Sequence, residues 1–167
     1  ASPNGGSDAT SFTQTGATDA GLILAFTPAS AGDYYVSYIL KKGVTRYTVF
    51  IFSGGGYASA QAFNVDWDAV GSPTVGTAGV GQPTAYSIET LSGGYYRVKF
   101  LIKPTTTAAM SLQVRTSSDG TYANRGVGAT AGQIVYYLWH AQIEAGTICT
   151  SPILTAGTRS ADIATIT

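Results

Sequence analysis

Along nearly its whole length the chain alternates short runs of β-branched and aromatic residues with clusters of Gly, Pro, Asn and Ser. No stretch carries the three-to-four spacing of a convincing amphipathic helix. Nine strands are predicted: Ala9 to Thr15, Gly21 to Phe26, Tyr34 to Lys41, Thr45 to Phe52, Ala60 to Trp67, Ala85 to Thr90, Tyr95 to Lys103, Met110 to Thr116 and Ile134 to Ile143. The joints Ser53-Gly54-Gly55-Gly56, Gly71-Ser72-Pro73, Ser92-Gly93-Gly94 and Asp119-Gly120 supply residues that accept positive φ or fix φ in advance. Without crossover helices the strands must pair antiparallel. Without a repeat of fixed period, a jelly roll is favoured over a propeller or solenoid. The expected fold is therefore all-β, an antiparallel two-sheet β-sandwich of jelly-roll type forming one domain over residues 1–167.

Period-two alternation assigns faces. In Tyr34 to Lys41 the set Tyr34, Val36, Tyr38 and Leu40 faces the core, with Ser37 and Lys41 on the other side. In Phe63 to Asp68 the set Phe63, Val65 and Trp67 lies inward, and Asn64, Asp66 and Asp68 lie outward. The last strand resists this reading, because Val135, Tyr137, Trp139, Ala141 and Ile143 alternate with Ile134, Tyr136, Leu138, His140, Gln142 and Glu144. Both sets begin apolar. We expect a strand buried on both sides, with Trp139 in the core, running out to a polar end at Gln142 and Glu144.

Only 11% of the residues are charged, against about 25% in an ordinary domain. Nine basic and nine acidic side chains cancel, and no basic run exceeds Lys41-Lys42, so no nucleic-acid partner is expected. Apolar runs fall far short of the ~20 residues that cross a bilayer as a helix, so no membrane insertion is expected either. The single cysteine, Cys149, rules out an internal disulfide and reads as a small apolar filler near a strand end.

Three segments, read in order, carry a resemblance. Gly94-Tyr95-Tyr96-Arg97 is followed by Trp139-His140-Ala141-Gln142-Ile143-Glu144-Ala145-Gly146, and then by Thr158-Arg159-Ser160-Ala161-Asp162. They resemble the Gly-Trp-Tyr-Arg, Trp-Gly-Ala-Gln-Leu-Glu-x-Gly and Thr-Arg-Ala-Ala-Asp motifs of a carbohydrate-binding-module-like jelly-roll domain. That domain occurs in phage tail fibre and tailspike proteins and in secreted polysaccharide-acting proteins. Ser2-Pro3-Asn4-Gly5, Ser37 to Gly43 and Asp66 to Gly71 are similar to its earlier motifs, while Tyr95 and His140 replace a common Trp and Gly.

The resemblance implies a non-catalytic glycan-binding adhesion module located in a virion tail or outside the cell. Its partner would be a surface polysaccharide or cell-wall glycan, and its chains would pack as homo-oligomers, trimers among them. The alternative is a purely structural virion domain that mediates oligomer or interdomain packing. The chain is expected to be a piece of a longer multidomain protein. Arg97, Trp139, Gln142 and Glu144 are then structural, with Arg97 and Glu144 expected to form an ion pair.

Glycan contacts call for aromatic faces and planar polar groups at loop tips. Candidate ligand-binding residues are Tyr57 beside the glycine tip, Tyr95 after Gly93-Gly94, and Tyr122, Asn124 and Arg125 after Asp119-Gly120. Each tyrosine has a plain structural alternative, packing its ring on the sandwich with its hydroxyl in water. Asp66 and Asp68 share a face, as a carboxylate pair for glycoside hydrolysis would, but with no partner motif pointing at them they read as solvated acids beside a hairpin. No catalytic residue is assigned. One histidine, His140, with no Gly-x-Ser-x-Gly elbow, leaves neither a Ser-His-Asp device nor a zinc site. No cofactor is expected; calcium alone stays open, through Asp8, Asp162 and loop carbonyls.

Overall fold

A computed structural model of the chain describes residues 2–16 and 21–150. The Thr158 to Asp162 motif, and with it Asp162 as a calcium donor, lies outside the described residues. The strands are β1 (Thr10–Thr13), β2 (Gly21–Phe26), β3 (Tyr34–Lys42), β4 (Tyr47–Gly54), β5 (Gln61–Asp66), β6 (Thr74–Thr77), β7 (Tyr86–Thr90), β8 (Tyr95–Ile102), β9 (Met110–Ser117) and β10 (Ile134–Ala145). They form two five-stranded antiparallel sheets, ordered β1-β10-β3-β8-β7 and β2-β9-β4-β5-β6. The first four strands of each order trace the two interlocked Greek keys of a jelly roll. Strands β7 and β6 widen it by one strand per sheet.

Nine of these strands fall where alternation placed them. The tenth, β6, is only Thr-Val-Gly-Thr, too short for a period-two signal and interrupted by Gly76. Glycine serves there because a Cβ would stand 2.7 Å from Asn64 Oδ1 on the neighbouring strand.

The facing sides of the sheets interlock through aromatic rings. Phe50 stacks on Phe63 with centroids 5.0 Å apart, and Phe63 meets Phe100 edge-on at 5.0 Å. Tyr34, Val36, Tyr38, Leu40, Phe63, Val65 and Trp67 lie in this core, as alternation predicts. Trp67 satisfies its indole N–H by donating to Thr48 Oγ1 at 2.8 Å. Tyr136 reaches across from the first sheet into the second. Its hydroxyl accepts from the Leu22 N–H at 2.9 Å and donates to the Val114 carbonyl at 3.1 Å. Leu22 and Val114 are register partners in the β2–β9 ladder, so the phenol pins the edge strand β2 from inside the sandwich.

The ambiguity of the last strand has a structural cause. A β-bulge between Leu138 and His140 shifts the register of β10 against β3. Before it Tyr136 and Leu138 pack on the core, and beyond it Ala141 and Ile143 do so. No single alternating set describes such a strand. Trp139 sits at the bulge, half-buried, and donates its indole N–H to Asp8 at 2.8 Å. The core position expected for Trp139 is therefore corrected: it fastens the N-terminal segment to the outside of the first sheet. His140, next in the strand, is paired opposite Ile39.

Candidate functional site

The outer face of the second sheet carries a small apolar cluster of its own. Val49 and Ile51 on β4 and Ala62 on β5 point away from the main core, yet they are buried under Ala78, Val80 and the ring of Tyr122. The segment that brings Tyr122 there follows β9 and is tied to itself. The Asp119 carboxylate accepts from the Thr121 N–H (2.9 Å), Thr121 Oγ1 (2.8 Å), Asn124 Nδ2 (2.6 Å) and Ser117 Oγ (3.3 Å). These donors, the Thr121 amide first, hold the Asp119 carboxyl down at about 2. The turn is locked to the sheet by Asn64 Nδ2 donating to the Gly120 carbonyl (2.8 Å) and by the Tyr122 N–H donating to the Ala78 carbonyl (2.9 Å). Asn64, expected outward, does point outward and is buried by this turn.

Three predicted ligand-binding residues therefore meet on one loop. Arg125 lays its guanidinium over the Tyr122 ring, 4.1 Å from the centroid, and donates to the Tyr122 carbonyl at 2.9 Å. Asn124 and Arg125 are exposed, while Tyr122 is half-buried between the guanidinium and the apolar cluster.

One strand away runs a feature not singled out from sequence. On β9, Gln113 donates to Ser111 Oγ at 3.0 Å, and Arg115 donates through Nε to Gln113 Oε1 at 3.1 Å. Gln113 and Arg115 face Ile51 and Val49 across the β4–β9 ladder, so a row of planar polar groups borders the cluster under Tyr122. Its signal was present in the alternation of Ser111, Gln113 and Arg115 with Met110, Leu112 and Val114.

The other two tyrosines stand apart from this loop. Tyr57 follows the end of β4 opposite to Tyr47, and it is Tyr47 that faces Ser117 at the base of the Asp119 turn. The Tyr57 ring meets Phe52 edge-on at 5.4 Å, and its hydroxyl accepts from the Lys103 N–H at 2.7 Å. Half-buried, it fastens the loop Gly54–Gly56 to the strand end. Tyr95 is corrected outright as an exposed platform. It points to the outside of the first sheet but is only 1% exposed, with the Lys41 ammonium 5.8 Å from its ring centroid. Burial raises its phenol above the ordinary range.

The first sheet's outer face also gathers the structural residues of the resembling motifs. Arg97, 5% exposed, donates through Nη2 to Ser37 Oγ (3.3 Å), to Cys149 Sγ (3.1 Å) and to the Thr150 carbonyl. Glu144 accepts from the Thr150 N–H (3.0 Å) and from Thr150 Oγ1, and Gln142 donates to Thr150 Oγ1 (3.3 Å). No ion pair joins Arg97 to Glu144 among the described residues, which corrects that expectation. The two side chains instead hold the main chain of one residue, Thr150, Arg97 at its carbonyl and Glu144 at its N–H. Cys149 lies in this grip beyond the strand end, and burial raises its thiol pKa.

Asp66 and Asp68 are each tied to a cation. Arg46 binds Asp66 in bidentate fashion at 2.9 and 2.7 Å and holds its carboxyl below the usual range, while Asp68 pairs with Lys42. The Asp66 carboxyl, held ionised in this way, is poorly suited to act as a general acid. Among the described residues no three His, Cys, Asp or Glu side chains gather into a metal-ligand set. No protein-family model matches the chain, and no curated protein matches its sequence.

Proposed function

We propose that this domain is a non-catalytic glycan-binding module for adhesion to a surface polysaccharide or cell-wall glycan, of the kind carried by phage tail fibres and spikes. The observation that supports this reading is the Asp119–Arg125 loop, whose exposed Asn124 and Arg125 are ordered before any ligand arrives. Pre-ordered planar donors lower the entropy lost on binding hydroxyl-rich ligands. Tyr122 acts as the support beneath the guanidinium rather than as a bare stacking platform, and the Ser111–Gln113–Arg115 row extends the polar surface alongside. Contacts of this kind are weak singly and gain strength through several copies on one particle. The test is a polysaccharide panel probed with the intact chain. Binding that falls about tenfold, or ~1.4 kcal/mol, in Arg125→Ala and Asn124→Ala supports the reading. No binding across a broad panel overturns it.

A second reading, a packing domain of a virion, rests on β2. This edge strand, Gly-Leu-Ile-Leu-Ala-Phe, has no charged residue, and Ile23 is 55% exposed. Apolar edges without charged blockers favour pairing with another strand. Light scattering showing an oligomer that Ile23→Lys dissociates would favour this reading over adhesion by a lone domain.

A further inference from the structure

We propose that residues 146–150 form a releasable strap that closes over the outer face of the first sheet, hinged at Gly146 and latched at Thr150. The hinge is visible in the backbone. Gly146 follows β10 at φ +110, a conformation side-chain-bearing residues rarely adopt, and its N–H is anchored to the Asp33 carbonyl at 2.7 Å. Beyond it Thr147 and Ile148 are exposed, Ile148 at 77%, so the strap is not held by apolar burial along its length.

The latch is a set of directional polar contacts. Arg97 takes the Thr150 carbonyl, Glu144 takes the Thr150 N–H and hydroxyl, and Gln142 reaches the same hydroxyl. The side chains that the latch joins are buried: Ser37 is 1% exposed and Gln142 8%.

Two features make this closure marginal in free energy. Arg97 is a buried cation with no carboxylate paired to it among the described residues, and its Nε has no hydrogen-bond partner. A buried guanidinium so placed gains hydration whenever the strap lifts. Among the described residues the apolar contact opposing release is small, because Cys149 alone of the strap's apolar residues is drawn in to half-burial. Opening breaks the hydrogen bonds at Thr150 and leaves the strand ladders intact, which is the energetic profile of a local unfolding unit. When it opens, Arg97, Gln142 and Ser37 become accessible on a flat sheet face.

Cys149, the single cysteine, is a built-in reporter at the latch. The experiment follows its reaction with a small maleimide in the full chain, alongside hydrogen exchange of the Thr150 amide, which does not depend on thiol ionisation. The expected result is labelling about tenfold or more slower in the native protein than in the urea-unfolded chain. Glu144→Gln and Thr150→Val should each speed both readouts severalfold while amide protection in β9 is unchanged; Asp68→Asn should change neither. Native labelling as fast as in the unfolded chain, or Glu144→Gln and Thr150→Val leaving both rates where they were, would overturn the strap. Opening that occurs only together with loss of β9 protection would overturn its being local.

Discussion

The two sheets bury their inner faces against each other in the same way, through interleaved aromatic rings, but they close their outer faces differently. The second sheet is covered by apolar contact: Val49, Ile51 and Ala62 lie under Ala78, Val80 and Tyr122. On the first the cover among the described residues is a polar grip, with Arg97, Gln142 and Glu144 holding Thr150 and Arg97 also bound to Ser37. Apolar cover is non-directional and grows with area, so it sets a loop permanently on the sheet. Polar cover exchanges protein hydrogen bonds for water hydrogen bonds at small net gain, so it orients a segment without fixing it. A binding loop belongs on the first kind of support, and a movable strap on the second.

Breaking the apolar cover carries the largest expected effect. Ile51→Ala removes buried methyl groups beneath Tyr122 and should cost about 2–4 kcal/mol in denaturant unfolding. A cost below about 1 kcal/mol would mean that the cluster collapses around the loss. Next comes Tyr136→Phe, which deletes the hydroxyl between the Leu22 N–H and the Val114 carbonyl. It should cost about 1–3 kcal/mol and strip amide protection from β2 before any other strand. On the polar side the effect should be small. Arg97→Met keeps most of the buried length and removes an unpaired charge, so global stability should change by less than about 1 kcal/mol. A loss of about 3 kcal/mol or more would show that the guanidinium is well compensated where it sits.

The smallest effect is a pH dependence confined to the binding loop. The folded-state value of Asp119 is depressed from 3.8 to about 2, so its contribution is complete above 3.8 and is lost as pH falls through about 2. The protection of the Thr121 amide, its exchange rate relative to that of an unstructured amide at the same pH, should fall over that window in the native chain. In Asp119→Asn the acid-dependent step should be missing.

Much of this architecture was legible from alternation alone, because period-two burial is a local property of a strand. Gly21 to Phe26 was bounded to the residue, and Trp67 could be placed in the core from its neighbours Phe63 and Val65. What escaped depends on contacts distant in sequence. The β10 bulge reverses the inward set in mid-strand, so Trp139 could not be placed from its own segment. Tyr95 stands on an outward position, and only the folded chain covers it. Arg97 and Glu144 do converge, but on the main chain of Thr150, a partner whose N–H and carbonyl leave no mark in a side-chain pattern. On the binding loop, the Asp119 turn and the seven-residue grouping of Tyr122, Asn124 and Arg125 were readable because all of it is local.

The assignment of adhesion to the second sheet is tested most directly by titrating one responsive polysaccharide against the native chain, Arg125→Ala and Glu144→Gln in parallel. The expected result is a loss of about tenfold in affinity for Arg125→Ala and none for Glu144→Gln, with both variants folded by circular dichroism. Unchanged affinity in Arg125→Ala, or a loss confined to Glu144→Gln, would contradict it and move the site to the face beneath the strap.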